Sequence, residues 1–329
     1  MEAAGGVLER IVYTADNGSA LPGRQLRGEG GAPTGDPAAD EAYDGAGATY
    51  ALFSEVFNRN SIDGNGLRLD STVHYRTGYD NAFWNGRQMV YGDGDEDLPE
   101  SQRLFNRFTI AVDIIGHELA HGVTQHTANL IYQGQSGALN ESMSDVFGSL
   151  VKQRLLGQAP ADADWIIGEG LFTANVNGLG IRSMKEPGTA YNDSVLGKDP
   201  QPGHMRDYVE TQADNGGVHI NSGIPNRAFY VTTLNLGGFA WEKAGQIWYL
   251  TLSSKLNASA NFATAAAKTY EAAGDLYGSG SLEQQAVRAG WAEVGINIDE
   301  SGPPPIDENP RPGCAGPVVG VFRSLFGPR

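Results

Sequence analysis

The chain has a single cysteine, Cys314, among its 329 residues, so no intramolecular disulfide can form. If the protein is exported, something else must staple it, and a bound metal is the obvious candidate. No stretch approaches the ~18–20 consecutive apolar residues of a membrane span. The opening Met1-Glu2-Ala3-Ala4-Gly5-Gly6 has neither the basic region nor the apolar core of a signal peptide, so export by that route is expected only of a trimmed form given a new Met. Basic residues are scarce: 23 Lys and Arg stand against 39 Asp and Glu, for a formal net charge of −16. Such a surface repels phosphate backbones and anionic lipid, which argues against nucleic-acid and membrane partners. Charged residues are 19% of the total and apolar residues 40%, a folded composition rather than a disordered one. The length suffices for two lobes with sizeable cores.

Glycine is plentiful, at 45 residues, and much of it falls in turn signals. Asp63-Gly64, Asn65-Gly66 and Asn85-Gly86 read as hairpins or turns between β-favouring runs such as Ser71–Tyr75 and Gln88–Tyr91. The pattern changes near residue 108. Phe108, Val112, Ile115, Leu119 and Val123 recur at helical spacing and predict a helix of about four turns ending before Gly134. A second helix is expected over 140–157. A loop-rich region follows to about 220, then helices near 224–236, 244–256, 261–274 and 281–294, parted by Gly237-Gly238 and Gly278-Ser279-Gly280. The layout predicts an α+β protein of two lobes, β-rich first and helical second, split into 1–126 and 127–300, with a Pro-rich tail at 301–329.

Two of only six histidines lie in His117-Glu118-Leu119-Ala120-His121. On a helix, residues four apart differ by about 40° in azimuth and ~6 Å in rise, so both imidazoles can reach one zinc. Glu118 stands about 100° round from His117, beside the metal and not capping it, which suits a base acting on water. A catalytic zinc needs a third protein ligand and one open position. Asn140-Glu141-Ser142-Met143-Ser144-Asp145 offers Glu141 on the next helix, with Asp145 one turn on to accept the outer N–H of a ligand histidine. His126 is a rival ligand, but it lies about 140° round from His121 and faces away. A third histidine six residues after the second is ruled out, because Thr127 stands there.

These segments, with Asn81-Ala82-Phe83-Trp84-Asn85-Gly86, Met89–Gly94 and Asp214-Asn215-Gly216-Gly217-Val218-His219-Ile220-Asn221-Ser222-Gly223, resemble the thermolysin family of zinc metalloendopeptidases over roughly 40–298. The compact N-terminal region is most similar to its short protealysin-type members. The resemblance implies a secreted neutral endopeptidase, made as a zymogen, monomeric, acting on peptide and protein substrates, and open to its own propeptide or a protein inhibitor as partner. It implies one zinc on His117, His121 and Glu141, whose bound water gives its proton to Glu118. Tyr132 and His219 match the oxyanion-stabilising pair, and Asp214 matches the carboxylate that orients His219. Asn81 and Ala82 match edge-strand contacts to an extended substrate, and Arg182 an arginine on a substrate carbonyl. Phe105, Phe108, Ile114 and Ile181 match an apolar pocket for a bulky side chain just after the cut. Asp113, Asp164 and Glu169 match three carboxylates of a double calcium site, but Lys152 and Ile166 replace two others, so one calcium is expected. The alternative is a zinc-containing peptide-binding module without turnover. Asp63–Arg68 begins like a calcium loop but lacks later oxygen ligands and is expected to form a hairpin; Asp93–Asp97 is expected to be a solvated loop, and Cys314 has no catalytic role.

Overall fold

The chain alternates short strands with one early helix, then gives way to helices. This computed structural model describes residues 6–298. The tail from 301 and Cys314 lie outside the described residues. A five-stranded sheet holds β1 (Arg10–Thr14), β2 (Arg24–Gly28), β3 (Leu69–Val73), β4 (Ala82–Trp84) and β5 (Met89–Tyr91) in the order β2-β1-β3-β5-β4. β1 pairs in parallel with β3, and β3 with β5; the outer strands β2 and β4 run antiparallel to their neighbours. The Asn85-Gly86 signal closes the β4–β5 hairpin, in which Ala82 faces Tyr91 and Trp84 faces Met89. β4 is thus an edge strand.

The first half is less purely β than its composition suggests. Between β2 and β3 lies α1 (Pro37–Ala51). Asp36 caps it by accepting from Ala38 N and Ala39 N, and Pro37 occupies the first turn, where its missing N–H is harmless. Small residues disguise this helix in the sequence. Its inward face is Ala38, Ala42, Ala46 and Thr49, with Tyr43 and Tyr50. The smallness is functional for packing: a Cβ on Gly45 would stand 2.4 Å from Ile115 Cδ1, so α1 lies close on the next helix. The Asp63–Gly66 segment is not a hairpin. The Asp63 carboxylate closes a turn by accepting from Asn65 N (2.8 Å) and Leu67 N (3.0 Å).

α2 (Val112–Gln125) and α3 (Gly134–Leu156) form the centre of the molecule, and most residues of both are buried. α2 starts later than its periodicity suggests, because Phe108–Ile110 makes a 3-10 turn. α3 starts earlier than residue 140 and ends at Gly157, which is left-handed (φ 65°) as a helix-terminating glycine often is. The two helices cross where Gly116 meets Gly148: a Cβ on Gly116 would lie 3.0 Å from Gly148 Cα. Two short two-residue pairings follow, and then α4 (Asp214–Asn221), α5 (Gly223–Leu236), α6 (Lys243–Ser254), α7 (Phe262–Tyr277) and α8 (Leu282–Glu293). In their core Phe229 meets Trp248 edge-on and Trp248 stacks on Trp291, whose Nε1 donates to Thr269 Oγ1 at 2.8 Å. The architecture is α+β, with a β-rich first part and a mainly helical second part.

Candidate catalytic metal site

α2 turns His117 and His121 toward the start of α3, where Glu141 points back. Each imidazole is fixed through its Nδ1: His117 on Asp145 Oδ1 (2.8 Å) and His121 on Asn140 Oδ1 (2.8 Å). Both Nε2 atoms therefore face inward, 3.1 Å apart. Glu141 Oε2 lies 3.5 Å from His117 Nε2, and Oε1 lies 3.4 Å from His121 Nε2. Bonds of ~2.0–2.1 Å in a tetrahedron put neighbouring ligand atoms about 3.3 Å apart, so this trio fits zinc. Among the described residues it is the only group of His, Cys, Asp or Glu with such convergence. Burial drives the His121 imidazole down to about 4; burial also opposes charge on His117, but Asp145 and Glu141 raise it to about 10, so zinc binding would have to displace a proton there.

Glu118, wholly buried, accepts from Trp84 N (3.1 Å) through Oε2, while Oε1 has no hydrogen-bond partner. Burial, with Glu141 adding repulsion against the pull of His117, lifts its carboxyl to about 7. His219 stands on the other side. Asp214, Asn215, Gly216 and Gly217 all have positive φ (53°, 48°, 82° and 77°), a run that Asn and Gly tolerate best. That tight turn folds Asp214 back onto its own helix: Oδ2 accepts from His219 N (2.8 Å), and Oδ1 meets His219 Nδ1 at 2.5 Å. His219 Nε2 is thereby aimed at Tyr132 OH, 3.0 Å away, and at Glu141 Oε1, 3.5 Å away. Tyr132 OH also donates to Glu141 Oε1. Burial opposes charge on His219, yet Glu141 and Asp214 raise its pKa above the ordinary value.

Arg182, 1% exposed, forks onto Asp145 through Nε (2.8 Å) and Nη2 (2.6 Å), and its Nη1 is buried without a partner. Burial works against the Asp145 charge, but Arg182 and His117 hold that carboxyl down to about 2. Asn81 and Ala82 sit at the start of edge strand β4, both buried. Ile114 and Ile181 converge around Gly168, where a Cβ would lie 3.6 and 3.1 Å from their side chains; Phe105 packs on Phe108 and Phe172. His126 is exposed at the end of α2 and belongs to no metal-binding group.

Against these features the chain can be compared with known proteins. Residues 13–125 match the model of the thermolysin metallopeptidase catalytic domain, and 128–296 that of the thermolysin metallopeptidase alpha-helical domain. The chain belongs to the thermolysin family of metallopeptidases. An extracellular metalloprotease of Pectobacterium carotovorum subsp. carotovorum is 52% identical over 294 residues, covering 89% of this chain and 82% of that protein. Protease PrtS of a Photorhabdus species is 51% identical over 302 residues, covering 91% and 79%. The solved precursor of protealysin, a metalloproteinase from Serratia proteamaculans, superposes with a TM-score of 0.85 at 55% identity, covering 90% of each chain. The chain is thus a thermolysin-like zinc metalloprotease, and one of the relatives above is named as extracellular. Among the described residues no helix is long and apolar enough to cross a membrane.

The structure also differs from the expectations for this thermolysin-family chain. Asp113, Asp164 and Glu169 do gather, but around Lys152, whose Nζ lies 3.7, 2.7 and 2.8 Å from them. An ammonium at their centre does not fit a calcium ion, which needs 6–8 oxygens at its own contact distances. Asp95, placed in a solvated acidic loop, is buried and accepts from Leu104 N (2.7 Å) and Phe105 N (3.1 Å), so it braces the segment carrying Phe105. Three supporting residues escaped the sequence reading. Asn140 holds His121 and sits next to Glu141, a signal that was available. Asn226 Nδ2 donates to Asp145 Oδ2 (2.8 Å), and Gln201 Nε2 donates to His219 O (2.7 Å). Their partners are 81 and 18 residues distant, and no local pattern announces them.

Proposed function

We propose that this metalloprotease is an endopeptidase of the mechanism its side chains suggest, with lobes running over 1–126 and 127–300. The observation that carries the reading is the convergence of His117 Nε2, His121 Nε2 and Glu141 at tetrahedral spacing, with a partnerless Glu118 oxygen beside them. Zinc, when bound to these three, supplies Lewis-acid polarisation and eases deprotonation of water. Glu118 takes the proton of the attacking water and delivers it to the leaving amine. His219 Nε2–H and Tyr132 O–H donate to the oxygen that gains charge, while Asp214 keeps the His219 ring in place. Asp145 and Asn140 hold the two ligand imidazoles.

Substrate enters as an extended strand beside β4, where Asn81 and Ala82 contact its main chain. Arg182 already gives two donors to Asp145 and has Nη1 left for a substrate carbonyl. Phe105, Phe108, Ile114 and Ile181 wall the space for a bulky apolar residue just after the cut. Such walls discriminate by only ~1–3 kcal/mol per methylene, so the preference is broad. A propeptide or inhibitor would use the same strand position, and the mature chain acts outside the cell as a monomer.

The test is digestion of casein and of a quenched peptide with Leu or Phe after the scissile bond, at neutral pH. Cleavage should vanish with phenanthroline, return with zinc, and be absent from Glu118→Ala. Activity persisting in either treatment would overturn the mechanism. Cleavage mapped before charged rather than apolar residues would overturn the specificity.

A further inference from the structure

The Lys152 cluster lies outside the catalytic machinery, yet it is tied to it. Lys152 is 7% exposed, near the far end of α3 from Glu141. Its Nζ faces four oxygens: Asp164 Oδ2 (2.7 Å), Glu169 Oε2 (2.8 Å), Ile166 O (3.5 Å) and Asp113 Oδ2 (3.7 Å). Asp113 sits in the first turn of α2, one turn before His117, and is 1% exposed. Its Oδ1 accepts from Gly168 N at 3.2 Å, and its Oδ2 has no hydrogen-bond donor, only the ammonium. Asp164 and Glu169 lie on the solvent side and are screened by water. The buried part of the cluster is therefore one cation and one anion, which balance each other. A dication added here would stand next to a fixed positive charge in a poorly screened site.

We infer that Lys152 is a built-in cation that takes the place of an exchangeable divalent ion, joining α2, α3 and the 164–169 segment, so that this chain holds its zinc helix without calcium. The oxygens still form the shell of a cation site; only the ion is now covalently attached. Removing the ammonium and restoring a carboxylate should turn the cluster into a calcium site. The claim is independent of proteolysis, because every readout below is stability or ion binding.

The experiment compares zinc-loaded protein in calcium-depleted buffer and in millimolar calcium, with zinc present throughout. The thermal midpoint of the wild type should move by less than about 1 °C. That of Lys152→Glu should rise by about 5 °C or more with calcium, the scale expected when an ion saturates a site of the folded state alone. Lys152→Arg, which keeps the charge, should stay indifferent to calcium. Terbium gives a direct probe, since Trp165 adjoins Asp164 in the chain and can sensitise its emission. Lys152→Glu should show tryptophan-excited terbium emission that calcium competes away, and the wild type should not. A wild-type midpoint that rises by about 5 °C with calcium, or wild-type terbium emission displaced by calcium and lost in Asp113→Asn, would overturn the inference. So would a folded Lys152→Glu that responds to neither ion. Should Lys152→Glu fold only with calcium, the inference stands; should it fold under neither condition, the wild-type and Lys152→Arg results decide.

Discussion

Gly148→Ala adds one methyl group and should weaken zinc binding, although residue 148 touches no metal ligand side chain. The added Cβ would lie 2.3 Å from Asp113 O and 3.0 Å from His117 N, both backbone atoms of α2. Ordinary van der Waals contact begins near 3.4 Å, so about 1 Å must be found by moving one helix off the other. Neither backbone can swing aside as a side-chain tip would. Overpacking of this kind costs about 1–3 kcal/mol. In a chain of this size that lowers the thermal midpoint by about 1–2 °C per kcal/mol. The effect on the metal should be the larger one, because ligand positions must hold to about 0.2 Å and His117 belongs to the displaced turn. Zinc affinity should fall by about 10–100-fold, the range seen when groups that orient ligands are lost. Competition against a chromophoric zinc chelator measures this, with kcat/KM on a peptide and the thermal midpoint recorded alongside. Gly47→Ala is the control: its Cβ meets Arg10 Nη1, the tip of a side chain, at 2.3 Å rather than backbone. Unchanged zinc affinity and activity in Gly148→Ala would refute the claim that the glycine crossing sets the ligand spacing.

Glu118→Gln should keep zinc at full stoichiometry while kcat falls by about 10²–10⁴-fold; a loss of zinc in parallel would show a structural role instead. His219→Ala should lower kcat by about 10²–10³-fold with little change in KM, and Asp214→Asn should lower it less. His74 bridges the α1 cap and the acidic loop, with Nε2 2.8 Å from Asp36 and Nδ1 2.7 Å from Asp93. Asp93, acting against burial and joined by Asp36, raises its pKa to about 9. A folded pKa above the ordinary ~6.5 means stability that is complete below about pH 6.5 and is lost as pH rises through 9. His74→Gln should therefore be less stable than wild type at pH 6 and similar at pH 10 in denaturant titrations; a constant gap at both pH values would contradict this. Arg182→Met should raise KM for peptides with residues beyond the cut more than for those truncated there, and an equal rise would remove the proposed carbonyl contact.

The parts of this molecule written in short-range pattern were legible, and those written in long-range contact were not. The i, i+4 histidines of α2 and the one-turn offset from Glu141 to Asp145 follow from helix geometry alone. The C-terminal helices are bounded by glycine pairs and carry ordinary apolar periodicity. α1 hid because alanine and glycine give a faint hydrophobic signal, although Asp36-Pro37 marked its start. The bracing of His219 by Gln201, and of Asp145 by Asn226, joins distant segments without any local motif. Asp95 was misjudged because an acidic run looks solvated, whereas two backbone N–H groups bury it. Lys152 stood out in the sequence only as an odd substitution; three-dimensional placement shows it surrounded by oxygens.

Glu141 and Lys152 are eleven positions apart on α3, about 16 Å along its axis, and each grips α2 at its own end, with the glycine crossing between. The two helices thus behave as a beam bolted at three points, with the reacting bond held over one bolt. A surface change at the far bolt would be read in an activity screen as a chemical defect, though no reacting atom was touched. Conversely, loop residues that touch none of Asp145, His219 or the beam itself can drift in sequence while the chemistry stays in register.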